Sequence, residues 1–385
     1  MTVPSARRVG VFVTGAFVRN QYRQAVSGHV QIALMAARIL AEAGHDVTLI
    51  TTRPPDADGL PQELPDAVDV TLVQHATRSW PAHKVYPAKA ARQVLQLLAL
   101  TRKRRFDVVH FFGGKQTGWL LCLLKLMGAP FTGFYTPIQR PPAYRSAARN
   151  AMWKFAFRRV THFLPVTEYV AAGWSPLANG RAVTALHPGI VKPMSEVAGP
   201  TPRDTVLFWR NATHANGADL GVQAYRHLAP EYPNRRFVFA VRPGERYEDE
   251  MRDLARTIAN VDLHVFPYQP PVSLPVLLSR SLLVVQPFRS LRINPQISTI
   301  ETLYAGVPVI TTDVESNREL VQHEKTGLII PPDDVEALVA AIRRLLEDRD
   351  LWQCLQSNCA AATKSRWNWN AYGQELLTAY EHAGE

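Results

Sequence analysis

Gln296 to Leu346 reads QISTIETLYAGVPVITTDVESNRELVQHEKTGLIIPPDDVEALVAAIRRLL. A helix over 297–305 follows Pro295 and stops at Gly306. Short β-rich runs follow, Pro308–Thr312 and Gly327–Ile330. Asp333 and Asp334 then open a helix over 333–347. Helix, strand, strand and helix in this order read as part of a parallel α/β layer. Ser298 and Thr299 fall near the first turn of the leading helix. Free backbone N–H groups and a partial positive charge there suit a phosphate.

The same alternation extends outward on both sides. Towards the N-terminus of this half, strands are expected at Thr205–Trp209, Phe237–Val241, Leu263–Phe266 and Leu282–Gln286, with helices over 216–229, 246–259 and 272–280. A helix over 351–363 follows. The first half predicts strands at Val9–Thr14, Val47–Thr51, Val68–Val73, Asp107–Phe112, Phe131–Tyr135 and His162–Pro165. Its helices are expected over 28–43, 88–104, 116–127 and 144–159. Between the halves, His187–Asp204 carries four prolines and two glycines with little periodicity, and reads as a linker. The expected fold is α/β: two doubly wound Rossmann-like domains facing across a cleft. The first occupies 1–187, the linker 188–204 and the second 205–365, with a C-terminal helix in 366–385 packing back on the first domain.

The chain of 385 residues is long for one core, and its composition is that of a soluble globular protein. The N-terminus shows no signal-peptide pattern, and the apolar run Trp119–Met127 is too short to span a bilayer and contains Lys125. Three cysteines without metal-ligand spacing point to a reducing, cytoplasmic setting. The net charge of +10 is uneven: residues 1–200 hold 24 Lys and Arg against 10 Asp and Glu, and the remainder hold 19 against 23. The first half therefore presents a field that favours an anionic, phosphorylated or lipid-linked partner, with peripheral contact at the inner membrane face in view. The acidic second half gives no reason to expect nucleic acid. Arg140–Arg159 mixes basic residues with Tyr144, Trp153, Phe155 and Phe157, and reads either as a helix with aromatics in the core or as one lying on a membrane.

With Glu301, the turn Ala305-Gly306-Val307-Pro308-Val309, Glu319, Gly327-Leu328-Ile329-Ile330 and the acidic Asp333-Asp334, the chain resembles the family 4 retaining glycosyltransferases of GT-B fold. The opening strand, the helix from Gly28 and the phrase Phe106-Asp107-Val108-Val109-His110 fit the same pattern. The resemblance implies transfer of a sugar from a nucleoside diphosphate donor to an acceptor hydroxyl, in carbohydrate biosynthesis. It implies no metal, with Arg and helix termini carrying the phosphate charge. It gives Glu301 the ribose, whose vicinal hydroxyls a carboxylate can accept; as an ordinary first-turn acid Glu301 would only complement the helix dipole. It gives Arg210, after Thr205–Trp209, the diphosphate, which a guanidinium holds bidentately.

Two positions depart from the family. Asn216 stands where a Lys is expected, so either Arg242 or Arg292 replaces that charge or the donor is held more weakly. Ile293 stands where an earlier Glu is expected, leaving Asn294 and Gln296 to meet sugar hydroxyls. Ile297, Ser298 and Thr299 complete the donor set, with Tyr268 in the segment Phe266–Gln269 expected beside base and ribose. In the first domain, Gly28 allows close backbone approach of a ligand, flanked by Ser27 and His29 as acceptor contacts; Ser27 also fits a plain helix cap. His110 ends a strand, where it either meets the donor sugar as a catalytic residue alongside Arg210 or is packed. Lys115, after Gly113-Gly114, is an acceptor-side cation or a solvated turn. Asp56-Ala57-Asp58 has the spacing of a metal motif but lies alone in a Pro-rich loop. A non-catalytic sugar-nucleotide-binding subunit and a sugar-nucleotide epimerase are the competing functions on this scaffold.

Overall fold

The computed structural model describes residues 6–15, 28–52, 64, 66–73, 87–141, 147–190, 202–269, 271–291 and 293–382. The first half runs β1 (Arg8–Val13), α1 (Gly28–Glu42), β2 (Asp46–Thr52), β3 (Val68–Val73), α2 (Pro87–Arg104), β4 (Val108–Gly113), α3 (Lys115–Leu126), β5 (Thr132–Pro137), α4 (Ala147–Phe157), β6 (His162–Phe163) and α5 (Glu168–Ala178). The second runs β7 (Thr205–Trp209), α6 (Ala218–Leu228), β8 (Arg236–Val241), α7 (Glu248–Thr257), β9 (Val261–Val265), α8 (Leu274–Arg280), β10 (Ser281–Gln286), α9 (Ile297–Tyr304), β11 (Val309–Thr312), α10 (Asn317–Leu320), β12 (Gly327–Ile330), α11 (Val335–Glu347) and α12 (Arg349–Arg366). The last helix is α13 (Trp369–Glu381).

Each half builds a six-stranded sheet, in the orders β3-β2-β1-β4-β5-β6 and β12-β11-β10-β7-β8-β9. All the paired strands are parallel. Renumbered within each half, the two orders are the same, and each reverses direction once: between β1 and β4, and between β7 and β10. Such switch points leave a crevice beyond the carboxyl ends of the two central strands, where ligands of open α/β sheets bind. The halves are two Rossmann-like domains. One compact unit comprises Met1–Pro188 with Trp369–Glu385, the other Gly189–Asn368. The linker segment 191–201 lies outside the described residues.

In the first unit, β1 is buried from Val9 to Val13, and α1 buries Val30, Leu34, Ala37 and Leu40 at helical spacing, within the helix expected over 28–43. Gly44, at φ +88°, ends that turn. Helices α2 to α5 cover the other face around Leu97, Leu121, Trp153, Phe157 and Trp174. The C-terminal helix α13 packs on α1, and Arg7 donates to the Tyr380 carbonyl at 2.6 Å. In the second unit, Phe208, Tyr225, Phe239 and Leu338 fill one face of the sheet, and Ile300, Leu303, Val307 and Cys359 the other.

Local chemistry explains where structure and sequence pattern part. The pattern missed α5, because Gly173 and Pro176 interrupt its apolar spacing; the Thr167 side chain nevertheless caps it by accepting from Val170 N at 3.2 Å. The helix expected over 216–229 is divided. A 3-10 turn, His214–Asn216, comes first, then Gly217 at φ +69°, then α6. A Cβ on Gly217 would lie 2.0 Å from the Pro287 carbonyl oxygen, so only glycine lets this loop dock on the end of β10.

Candidate functional site

The second sheet places Arg210 immediately after β7, Arg242 immediately after β8 and Gln286 at the end of β10. These are the carboxyl ends of three neighbouring strands, at and beside the switch point. Arg210 Nη1 donates to Ser298 Oγ at 3.3 Å, so the end of β7 meets the first turn of α9. Gln286 braces that turn: its Nε2 donates to Ser298 Oγ at 3.3 Å, and its Oε1 accepts from Thr299 Oγ1 at 2.6 Å. Thr302 Oγ1 bonds the Ser298 carbonyl at 2.7 Å and accepts from Trp209 Nε1 at 3.1 Å. Ser298, Thr299 and Gln286 are buried. The first turn of α9 is thus braced by Arg210, Gln286 and Thr302, and a helix start of this kind has N–H groups without partners inside the helix.

The charges are arranged tightly. Among the described residues, Arg210 Nε is buried with no hydrogen-bond partner. Burial, with the like charge of Arg242 added, pulls the Arg210 guanidinium down to about 10, while Glu301 offsets part of this. Burial pushes the Glu301 carboxyl up to about 7 against the opposing pull of Arg210. Burial also pushes Tyr268 up to about 12, opposed by Arg242. Arg210, Arg242, Glu301 and Tyr268 therefore share one electrostatic neighbourhood. A buried guanidinium with an unmet donor, a like-charged neighbour and a helix N-terminus together favour a polyanion.

The loop between β7 and α6 is held separately. Arg289 forms a bidentate pair with Asp219 at 2.6 and 2.8 Å, donates to the His214 carbonyl at 2.9 Å and pairs with Asp333. Asn216 Nδ2 donates to the Asn211 carbonyl at 2.9 Å and tightens the loop from within. The buried Asn294 donates to Glu315 Oε2 at 2.8 Å and accepts from Ser316 Oγ at 2.5 Å. The second Glu315 oxygen accepts from Leu291 N at 2.9 Å. A carboxylate thus reaches the segment 289–300 although that segment contains none. The sequence pattern did not reveal Glu315 or Gln286, because both act through contacts between strand ends. Gln296 precedes α9 as its cap residue, with its carbonyl accepting from Thr299 N at 3.0 Å, and Ile297 opens the helix.

In the first unit, Gly28 opens α1, and His29 bonds the Thr14 backbone beyond β1. Burial lowers the His29 imidazole to about 4. Lys115 opens α3 and is exposed, beside Gly113 at φ +138°. These residues gather near the switch point of the first sheet. His110 is fully buried: one ring nitrogen meets Tyr380 Oη at 3.0 Å and the other Thr136 Oγ1 at 2.8 Å. Burial, with His162 nearby, lowers it to about 3, so it stays neutral as a link between β4 and α13. Of its two sequence readings, this geometry is the packed one. Ser27, Asp56, Asp58 and Arg292 lie outside the described residues. Among the described residues, no group of three or more His, Cys, Asp or Glu is placed to hold a metal ion.

The fold and this strand-end site define the class of two-domain GT-B proteins. Residues 194–366 match the family described as glycosyl transferases group 1, and residues 27–189 match the glycosyl transferase 4-like domain. The chain belongs to the family-4-type, group 1 glycosyltransferases. It is 27% identical to alpha-D-kanosaminyltransferase of Streptomyces kanamyceticus over 197 residues, 50% of this chain and 49% of that protein. The chain spans less than half the length of the curated relatives that it matches. Among solved structures, sucrose-phosphate synthase from Thermosynechococcus elongatus superposes with a TM-score of 0.77 at 17% identity, over 98% of both chains. Anabaena HepE in complex with UDP and glucose superposes with a TM-score of 0.69 at 13% identity, over 97% of this chain and 99% of that one. These two likenesses concern the fold.

Proposed function

We propose that this protein is a retaining glycosyltransferase that moves a sugar from a nucleoside diphosphate donor to an acceptor hydroxyl. The observation that carries the reading is the Arg210–Ser298 contact, with Arg242 and Glu301 within electrostatic reach. Arg210, Arg242 and the first turn of α9 bind the diphosphate. Arg242 supplies the positive charge that Asn216 lacks, and these groups do the work that a divalent cation would otherwise do. Glu301 accepts the ribose hydroxyls, and Tyr268 borders the base and ribose. Asn294, with Gln296 and the Glu315 carboxylate behind it, meets the sugar. The complex of HepE with UDP is consistent with a donor of this kind.

In the reaction, the bond between the anomeric carbon and the phosphate oxygen breaks, and the acceptor oxygen bonds to that carbon on the same face. The acceptor proton passes to the departing phosphate oxygen. Negative charge grows on the diphosphate as it leaves, where preorganised cations and N–H groups are most effective. Gly28, His29 and Lys115, at the switch point of the first unit, contact the acceptor. The three cysteines are unpaired, which supports a reducing compartment.

The test is a panel of UDP-, GDP- and dTDP-sugars. Heat stabilisation by one donor, with sugar transfer or slow hydrolysis and retained anomeric configuration, is the expected result. Stabilisation without turnover would make the chain a binding subunit, and donor conversion without acceptor an epimerase.

A further inference from the structure

The outer layer of the first unit stands apart from the rest of the chain. Between Val70 and Thr167 the sequence holds 16 Lys and Arg and a single acid, Asp107. Asp107 pairs with Arg8 at 3.4 Å. Helices α2, α3 and α4 contain no acidic residue.

The same layer exposes apolar side chains. Seven large hydrophobic residues are exposed among the described residues, and six belong to it: Leu95 on α2; Leu123, Leu126 and Met127 on and just after α3; and Met152 and Phe155 on α4. The second unit, of similar size, contributes none. Helix α3 packs against both α2 and α4, so these residues share one face. Of the aromatic residues in this stretch, Trp153 and Phe157 stack at 4.9 Å in the core, whereas Phe155 is 56% exposed.

The cations gather at one end of this apolar surface. Because all crossovers in the sheet are parallel, α2, α3 and α4 run the same way, and their C-termini meet at the amino-terminal edge of the strands. Arg102, Lys103, Arg104 and Arg105 gather there with Lys125 and Arg158. Arg102 Nη2 donates to the Met127 carbonyl at 3.4 Å, joining the ends of α2 and α3. An open pocket of about 710 Å³, whose charged lining is Arg8, Arg102, Arg105, Lys125 and the acid Asp107, lies at this edge. It is the edge opposite the strand ends that form the switch point. Basic residues in a last helical turn also complement the helix dipole. That effect explains the charges but not six exposed apolar side chains beside them.

We infer that the α2–α3–α4 layer docks on an anionic lipid bilayer, with Leu123, Leu126, Met152 and Phe155 entering the interface and the cations meeting headgroup phosphates. Apolar side chains beside a large excess of Lys and Arg, with Asp69 on Arg104 and Asp107 on Arg8 as the acids at that edge, match the two contributions to peripheral binding: buried apolar area and attraction to anionic lipid. The inference does not rest on the donor site, and its test reads a different signal.

The experiment is sedimentation of the full chain with phosphatidylcholine vesicles, with and without phosphatidylglycerol. Binding is expected only with phosphatidylglycerol, and it should weaken as salt rises from about 0.1 M to about 0.5 M. Each cation near the surface contributes about fivefold to partitioning. Arg102→Glu with Lys103→Glu should therefore lower binding by more than ~25-fold. Leu126→Ser with Phe155→Ser should release the protein from vesicles while leaving retention on heparin unchanged. All four positions are exposed, and circular dichroism and donor binding should match the parent. Equal binding to both vesicle types, no binding to either, or apolar variants that sediment like the parent would overturn the proposal. The last outcome, with heparin competing, would mark a general polyanion or nucleic-acid surface instead.

Discussion

Arg210 donates to Ser298 at 3.3 Å across 88 positions of sequence, and the contact joins the end of β7 to the first turn of α9. Among the described residues, the guanidinium keeps one buried donor unmet at Nε. Arg210→Ala should therefore lower affinity for a nucleoside diphosphate by about a hundredfold, and transfer by at least as much. Arg210→Lys should recover little, because a point charge cannot replace a planar fork. Titration calorimetry with UDP and GDP checks this; wild-type affinity in the Ala variant would remove Arg210 from the site.

Arg242 lies one strand away and acts on the same region of space. If it supplies the charge missing at Asn216, Arg242→Ala should weaken a nucleoside diphosphate about tenfold and the nucleoside itself hardly at all. Equal losses for both ligands would instead place Arg242 beside the base.

Glu301 titrates at about 7 in the unliganded chain because burial outweighs the pull of Arg210. Accepting two ribose hydroxyls requires the carboxylate, so donor affinity should rise with pH and level off above about 7. Below that pH, binding should be accompanied by proton loss. Stability moves the other way: with the folded value raised above 4.5, the folded chain gains from the proton and loses stability as pH rises from 4.5 through about 7. Glu301→Gln should flatten both profiles and weaken ribonucleotides. A pH-independent affinity in the parent would reject the ribose contact.

His110 has a folded value of about 3 against 6.5 in a model peptide. Its contribution is complete above 6.5 and is lost as pH falls towards 3, because the unfolded chain takes the proton first. A His110→Gln variant should be less stable at neutral pH, with a shallower loss of stability on acidification. Denaturant unfolding at several pH values measures the difference in slope; parallel curves would contradict the buried neutral imidazole.

Gly217→Ala should destabilise the second unit by ~2 kcal/mol or more, because the new methyl meets the Pro287 carbonyl and the backbone stays at positive φ. Calorimetry should show a lowered transition for this unit. An unchanged transition would mean the loop can lift from β10 at no cost.

The sequence by itself determined both sheets. All twelve strands fall within a few residues of the runs that predict them; the central strands are buried on both faces, which demands continuous Val, Ile, Leu and Phe and can be read locally, while the edge strands β3 and β9 keep polar residues and are partly exposed. It also marked Arg210 and the start of α9, since a strand end and a helix start are local signals. It did not show that Arg289 locks the β7–α6 loop through Asp219, that Gln286 braces Ser298 and Thr299, or that Glu315 brings a carboxylate to Asn294. Nor did it show that His110 is held by Tyr380, 270 positions away. Those pairings were decided only in the tertiary structure. Hydrogen bonds and charges act over a few ångströms in space, and the sheet brings distant strand ends within that range with no trace in the spacing of residues along the chain.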